Sequence, residues 1–343
     1  MARKPPPRPG RKAPAQELAD YQKVLDKHNK KYPPQKAEWV PSGSLVLDYV
    51  WGMGFPVNKV TVLSSAPALG KTTVAVSTAR GILESAEGLV LYLDAESGLD
   101  ESLVNNVIGE ELKSRFIIHT PPTYEAVEEM IQDYTATTTR LLAVIIDSVT
   151  ALQTEKVLKE GDARIGSKAG YEALFCIKMK LWSATNKFGV IYVNQQRANI
   201  SMTGRGPATR PAGGFALHHY CDIEMQLRNM LFIKNSQNDK LGVCARVFTD
   251  KNRMVGNRSA PLYIRYGVGV SNVTTLESFL KHTGRVTQGG AYFKIKIEEL
   301  NIEKSVQGNV GLNAFVQEYF VPLLELMKNS PEQCLDYYEK YKP

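Results

Sequence analysis

Residues 59–73 read Lys-Val-Thr-Val-Leu-Ser-Ser-Ala-Pro-Ala-Leu-Gly-Lys-Thr-Thr, and this stretch decides how the chain folds. Lys59–Ser64 is a short apolar run with the length of a buried strand. The residues after Thr72 continue with helical spacing to about 85. A strand that enters a loop of small residues and then opens a helix turns successive backbone N–H groups and a helix N-terminus toward one point, where an anion is stabilised. Gly70 lets the backbone come close to such an anion. Lys71 adds a positive charge suited to phosphates, and the Thr72 hydroxyl is suited to ligating Mg²⁺. Ser65, Ala66, Pro67, Ala68, Leu69, Gly70, Lys71, Thr72 and Thr73 are therefore read as contacts of a bound nucleotide.

The loop resembles the Walker A motif with one departure: Ser65 stands where a glycine is usual. Its Cβ must avoid positive φ or accept strain. Outward from the loop, Leu89–Asp94, Phe116–His119, Leu141–Asp147 and Gly189–Asn194 are further strand-length apolar runs. Helical stretches at 72–85, 124–138 and 168–187 lie between most of them. Alternation of this kind predicts an α/β fold with a mostly parallel sheet covered on both faces. Strands near 222–228, 243–250 and 262–266 follow closely on one another and are expected as antiparallel additions at one sheet edge. After Gly269 the chain is expected to be more helical and less regular, a small C-terminal subdomain spanning 271–343.

Ligands of an open α/β sheet bind at the carboxyl ends of its strands. Two of the expected strands end in acids. Val144-Ile145-Ile146-Asp147-Ser148 is a Walker B pattern, in which Asp147 holds Mg²⁺ through water; in isolation Asp147 would read as a helix cap. Leu93-Asp94-Ala95-Glu96 places Glu96 to polarise an attacking water as general base. Asp94 reads equally as a cap or as a residue supporting those that touch the ligand.

The charge is uneven. The net charge is +7, and residues 1–36 carry ten Lys or Arg against three acids, so the rest of the chain is neutral. A basic arm on a neutral body suits a polyanionic partner, or serves as a solubilising tail. Met1–Pro14 is basic and proline-rich, without the apolar stretch of a secretory signal. No apolar run is long enough to cross a membrane. Residues 15–30 read as a short amphipathic helix with Leu18, Tyr21 and Leu25 on one face, which must pack on its own core or on a neighbouring subunit. Cys176, Cys221, Cys244 and Cys334 show no metal-ligand or redox spacing. They are expected to be reduced structural thiols in a cytoplasmic setting.

The ordered set of motifs is specific. Ser42-Gly43-Ser44-Leu45-Val46-Leu47-Asp48 precedes the phosphate loop. Asp94-Ala95-Glu96-Ser97-Gly98-Leu99-Asp100, Asp147-Ser148-Val149, Val193-Asn194-Gln195-Gln196-Arg197, Gly213-Gly214-Phe215-Ala216-Leu217 and Lys251-Asn252-Arg253 follow it. In this order and spacing, from about 38 to 270, the chain resembles the RecA family of bacterial and phage-encoded recombinases. The resemblance implies a RecA-type ATPase core over 37–270, with residues 1–36 as a basic arm and oligomerisation helix. It implies ATP and Mg²⁺ as cofactors, with Tyr266 as a further nucleotide contact. Glu96 would activate water, and Gln195 would sense the γ-phosphate. Lys251 and Arg253 would reach the ATP of the adjacent subunit; without the resemblance they would read as a solvated loop.

The resemblance also implies two DNA-binding loops, near 155–170 with Arg164, Ile165, Gly166 and Lys168, and near 196–213 with Arg197, Met202, Arg205, Arg210, Gly213 and Gly214. The second is glycine-rich, basic and free of acids, as backbone-tracking contacts to single-stranded DNA require. The implied partners are single-stranded and duplex DNA, further copies of the chain in a helical filament, and single-strand-binding and loader proteins. Leu103 departs from the family, which favours an aromatic near adenine there, and Arg253 replaces a lysine with its charge kept. The C-terminal part matches poorly and has no long acidic tail, which implies weaker restraint on duplex capture. Two alternatives share much of the pattern. A ring helicase of the same fold is disfavoured by the short segment before the core. An accessory recombinase paralogue is disfavoured by the intact Glu96, Gln195, Lys251 and Arg253.

Overall fold

The computed structural model describes residues 22–23, 26–27, 36–137, 139–160, 165–198, 209–211, 214–235 and 237–329. It divides into two units, Met1–Ala37 and Glu38–Pro343. In the first, Gln22, Lys23, Asp26 and Lys27 are helical, and Gln22 Nε2 donates to Asp26 Oδ1 at 2.8 Å.

The second unit opens with strands β1 (Trp39–Val40) and β2 (Phe55–Pro56), which pair around helix α1 (Leu45–Trp51). Ser44 caps α1 by accepting from the Leu47 amide, a short polar oxygen replacing one intrahelical acceptor. Next come β3 (Val60–Ser65), α2 (Lys71–Ser85), β4 (Leu89–Asp94), α3 (Glu101–Ile108), α4 (Glu110–Lys113), β5 (Phe116–His119), α5 (Tyr124–Ala136) and β6 (Leu141–Asp147). They are followed by α6 (Glu155–Glu160), α7 (Ile165–Asn186), β7 (Gly189–Ala198), β8 (Thr209–Pro211), α8 (Gly214–Tyr220), β9 (Ile223–Lys234), β10 (Lys240–Asn252), β11 (Ser259–Arg265) and β12 (Gly269–Val270). Among the described residues these strands form a ten-stranded sheet in the order β12-β11-β10-β9-β3-β7-β6-β4-β5, with β8 paired to β7.

From β9 to β5 the strands run parallel. Parallel strands need crossover helices, and these cover both faces. The pleat divides each strand between two cores. Val90 and Tyr92 pack on the α2 and α3 side, and Leu91 and Leu93 on the α5 and α7 side. On the first side, α2 passes so close to Ser42 that a Cβ on Gly81 would lie 2.0 Å from the Ser42 carbonyl oxygen. Only glycine fits this crossing.

Two expectations need correction. The strand expected near 222–228 is not an antiparallel addition: β9 pairs parallel with β3, and the antiparallel edge begins at β10. A short link from β8 through α8 carries β9 back to the start of β3, where the Val60 amide meets the Asp222 carboxylate at 3.2 Å. The chain beyond Gly269 is also more regular than its composition suggested. Between α9 (Asn272–His282) and the helices α10 (Gly308–Glu318) and α11 (Phe320–Lys328) lies an antiparallel three-stranded sheet, β13 (Val286–Gly289), β14 (Tyr292–Ile297) and β15 (Ile302–Gln307). Phe293, Ile295 and Ile297 enter the core while Tyr292, Lys294 and Lys296 face solvent, the alternation of a half-buried strand.

Candidate active site

The carboxyl ends of β3, β4, β6 and β7 converge. At the end of β3 the chain turns through the phosphate loop, and Gly70 takes a left-handed conformation at φ 81° as the N-cap of α2. Ser65 is not strained: it ends β3 in extended backbone, buried, with its hydroxyl donating to the Ala66 carbonyl at 2.7 Å. The positive φ values of the loop fall instead on Ala68, at 60°, and on Gly70. Serine is accommodated where glycine is usual because this turn needs no left-handed residue there.

Lys71 folds back over the loop. Its Nζ donates to the Ser65 carbonyl at 3.4 Å, the Ser65 hydroxyl at 3.2 Å and the Ala66 carbonyl at 3.2 Å. Burial pulls its pKa below the ordinary lysine value, and the nearby Asp147 and Glu96 carboxylates oppose that shift. An ammonium held by neutral carbonyls under a cradle of amides is matched to an anionic phosphate. Beside it the Thr72 hydroxyl donates to Asp147 Oδ2 at 2.8 Å. A hydroxyl and a carboxylate side by side are the hard oxygen donors that Mg²⁺ requires. The residues present therefore fit both groups.

Asp147 Oδ2 accepts a second hydrogen bond, from the Tyr92 hydroxyl at 2.8 Å. Burial pushes the Asp147 carboxyl up from the usual range; the Thr72 and Tyr92 donors pull it back, and Glu96 and Asp94 push it up again. Asp100 caps α3, whereas Asp94 braces the turn that follows β4: its carboxylate accepts from the amides of Gly98 at 3.2 Å and Leu99 at 2.9 Å. Glu96 stands forward of it. Its carboxylate accepts from the Ser148 hydroxyl at 2.5 Å and from Gln195 Nε2 at 3.3 and 3.4 Å. The Asp147–Ser148 peptide is cis. Pro67, Ala68, Gly70, Lys71, Thr72, Thr73, Glu96, Asp147, Gln195 and Tyr266 together line a cavity of about 360 Å³.

Lys251 and Arg253 lie elsewhere. In the sheet register Lys251 pairs with Glu224 and Asn252 with Ile223, and Ile223 is opposite Thr61 at the start of β3; Ser65 is opposite Leu227 at its far end. Lys251 thus stands level with Val62 and Asn252 with Thr61, three and four strand residues, about 10 and 13 Å, from the level of Ser65. Lys251 Nζ donates to the carbonyls of His218 at 2.6 Å and His219 at 3.3 Å. Arg253 is half-exposed, with a guanidinium nitrogen 3.9 Å from Asp222. Neither side chain lines the cavity of its own subunit.

The expected DNA loops are partly within view. The segment 155–170 is not one loop: α6 covers Glu155–Glu160 and α7 begins at Ile165, so Ile165, Gly166 and Lys168 are helical. Lys168 Nζ donates to the Thr150 carbonyl at 3.3 Å. In the second segment Arg197 pairs with Arg210 across β7 and β8, and Gly214 begins α8. Arg164, Met202, Arg205 and Gly213 fall outside the described residues. Leu103 packs, partly buried, against the core.

Three contributors were not singled out from sequence: Tyr92, Ser148 and Thr150. A tyrosine inside the aliphatic run Leu89–Leu93 was the available signal for the first, since a buried phenol needs an acceptor. Ser148 and Thr150 carried none, being ordinary residues of a strand-to-helix turn.

The chain as a whole is similar to known proteins. The RecA N-terminal domain model matches residues 22–271. Protein RecA of Oleidesulfovibrio alaskensis is 29% identical over 310 residues, covering 88% of this chain and 86% of that protein. Protein RecA of Solidesulfovibrio magneticus is 30% identical, covering 82% of this chain and 77% of the relative. Protein RecA of Gloeothece citriformis is 27% identical, with 82% and 80% covered. With its phosphate loop, strand-end acids and glutamine gathered at one edge of the sheet, the chain belongs to the RecA family.

Proposed function

We propose that this chain is an ATP-dependent recombinase. It assembles as a helical filament on single-stranded DNA, pairs that strand with homologous duplex and exchanges strands in recombinational repair. One observation carries the reading: Lys251 and Arg253 sit at the opposite end of the sheet from the cavity they would serve. A contact that brings the Lys251 end of one subunit to the Lys71 end of the next is heterologous and, when it does not close, propagates as a helix. Hydrolysis of ATP to ADP and phosphate then depends on assembly.

In this site Lys71 leaves the carbonyls of Ser65 and Ala66 to bind phosphate oxygens, and Tyr266 flanks the nucleotide. Thr72, supported by Asp147, would hold Mg²⁺, which would supply positive charge against the phosphate oxygens. Glu96 takes a proton from the attacking water. Gln195, now donating to Glu96, turns to the γ-phosphate and passes its presence along β7 to the loop that follows. Lys251 and Arg253 of the adjacent subunit add charge where it develops on the transferring phosphoryl group. DNA tracks the basic segments around Lys168, Arg197 and Arg210. The setting is cytoplasmic, with single-strand-binding and loader proteins as further partners.

The test is ATP turnover with and without single-stranded DNA, across protein concentration and salt. The expected result is strong stimulation, cooperative in protein and weakened by salt. Turnover indifferent to DNA overturns the reading. Tight binding of ATP and DNA without turnover assigns an accessory role instead, and closed rings in electron micrographs assign a motor.

A further inference from the structure

Glu96 is joined by hydrogen bonds not only to Gln195 but to the segment that leads toward the first basic region. Ser148 Oγ lies 2.5 Å from Glu96 Oε1 and 3.0 Å from Thr150 Oγ1. The direction of both bonds follows from the inventory of donors. A carboxylate only accepts, and a serine hydroxyl has one hydrogen. Ser148 therefore spends its hydrogen on Glu96, and Thr150 must be the donor to Ser148. The main chain of Thr150 is in turn held by Lys168, whose Nζ donates to its carbonyl at 3.3 Å. Lys168 stands in the first turns of α7.

From this path we infer that Ser148 and Thr150 are positioning residues: a Thr150-to-Ser148-to-Glu96 hydrogen-bond relay aims the general base and couples its aim to the start of α7. The inference rests on the proposed role of Glu96 as base and on DNA engagement near Lys168. Its physical content is orientation. Glu96 follows β4 on an exposed turn, with Ser97 at φ 53°. Two donors from different elements, Ser148 after β6 and Gln195 on β7, fix the plane of its carboxylate. When Gln195 departs toward phosphate, Ser148 is the remaining donor that fixes the plane. Ser148 is fully buried, so water does not replace it. A shift at the start of α7 moves Lys168, the Thr150 carbonyl it holds, and with them the hydroxyl that supports Ser148.

The experiment compares steady-state ATP turnover of wild type, Ser148→Ala, Ser148→Thr and Thr150→Val, each with and without single-stranded DNA. Binding of a fluorescent ATP analogue and thermal melting are measured alongside. Loss of one hydrogen bond to a charged group corresponds to roughly tenfold to a hundredfold. Ser148→Ala is expected to lower kcat by that factor while KM and analogue binding stay within about twofold of wild type. Ser148→Thr, which keeps the hydroxyl, is expected to recover most of the loss. Thr150→Val, which keeps shape and removes the donor, is expected to lower the ratio of DNA-stimulated to basal turnover several-fold. It also serves as the test should Ser148→Ala not fold. If wild type is stimulated by DNA and both Ser148→Ala and Thr150→Val keep wild-type kcat and stimulation, the relay is wrong and the recombinase reading stands. Parallel loss of kcat, analogue binding and melting temperature, without recovery in Ser148→Thr, makes the role merely structural and overturns the inference. If wild type itself ignores DNA, both readings fall.

Discussion

Replacing Tyr92 by phenylalanine isolates one hydroxyl at the centre of the site. The ring is fully buried and lies 5.7 Å from that of Phe116, centroid to centroid. Phenylalanine preserves that packing, so the change removes little beyond an oxygen. What is lost is one of two hydroxyl donors to Asp147 Oδ2, both at 2.8 Å. A hydrogen bond to a charged acceptor contributes about 1.5–3 kcal/mol, and that is the destabilisation expected at neutral pH. Its pH dependence has a definite sign. Burial already holds the Asp147 carboxyl above its ordinary value, and Tyr92 is one of the donors that restrain the rise. Removing it lifts the folded-state pKa further. A carboxyl whose folded pKa exceeds the unfolded value lowers stability as pH climbs from about 3.9 through the folded value. The variant extends that window upward. The gap between wild type and Tyr92→Phe that comes from this linkage is therefore full above the variant's folded pKa and closes as pH falls through the wild-type folded value. Urea denaturation of the two proteins reads it as a shift in midpoint at unchanged slope. A gap below about 0.5 kcal/mol at neutral pH, the size of an ordinary surface change, would refute the account of Asp147; so would a gap that widens on acidification.

Two further changes test the loop and its support. Gly81→Ala places a Cβ 2.0 Å from the Ser42 carbonyl oxygen and 2.3 Å from the Gly43 nitrogen; since backbone must move, a cost at or above the usual 1–3 kcal/mol of overpacking is expected, read as a large drop in melting temperature. Ser65→Gly would relieve strain if serine were forced into a glycine conformation. Ser65 is instead extended and hydrogen-bonded, so the variant is expected to lose about 0.5–1 kcal/mol through added chain freedom, and a gain in melting temperature would contradict the geometry.

The strand ends of the core were legible because a buried parallel strand is an uninterrupted apolar run; Leu141–Asp147 stops at a residue that lines the site, and Gln195 directly follows the run Gly189–Asn194. Lys71, Thr72, Glu96, Asp147, Gln195 and Tyr266 line one cavity. The direction of β9 was not legible, because parallel and antiparallel neighbours carry the same side-chain alternation and differ only in where the connection returns. The sheet β13–β15 was missed although Tyr292–Ile297 alternates at period two; its partner Ile302–Gln307 is mostly polar and exposed, so one strand read alone. Tyr92 and Ser148 escaped because their roles depend on contacts across 55 and 52 residues, which a linear pattern does not contain.

The central claim is that each hydrolytic site is completed by the neighbouring subunit. Subunits carrying Lys71→Ala lack the phosphate lysine but keep Lys251 and Arg253, and subunits carrying both Lys251→Ala and Arg253→Ala have the reverse defect. Mixed in equal amounts on single-stranded DNA, random assembly joins an intact ATP-binding end to an intact Lys251 end at about a quarter of contacts. The account predicts turnover approaching about a quarter of wild type from two proteins that are nearly inactive alone. Turnover no greater than the sum of the separate proteins would contradict it.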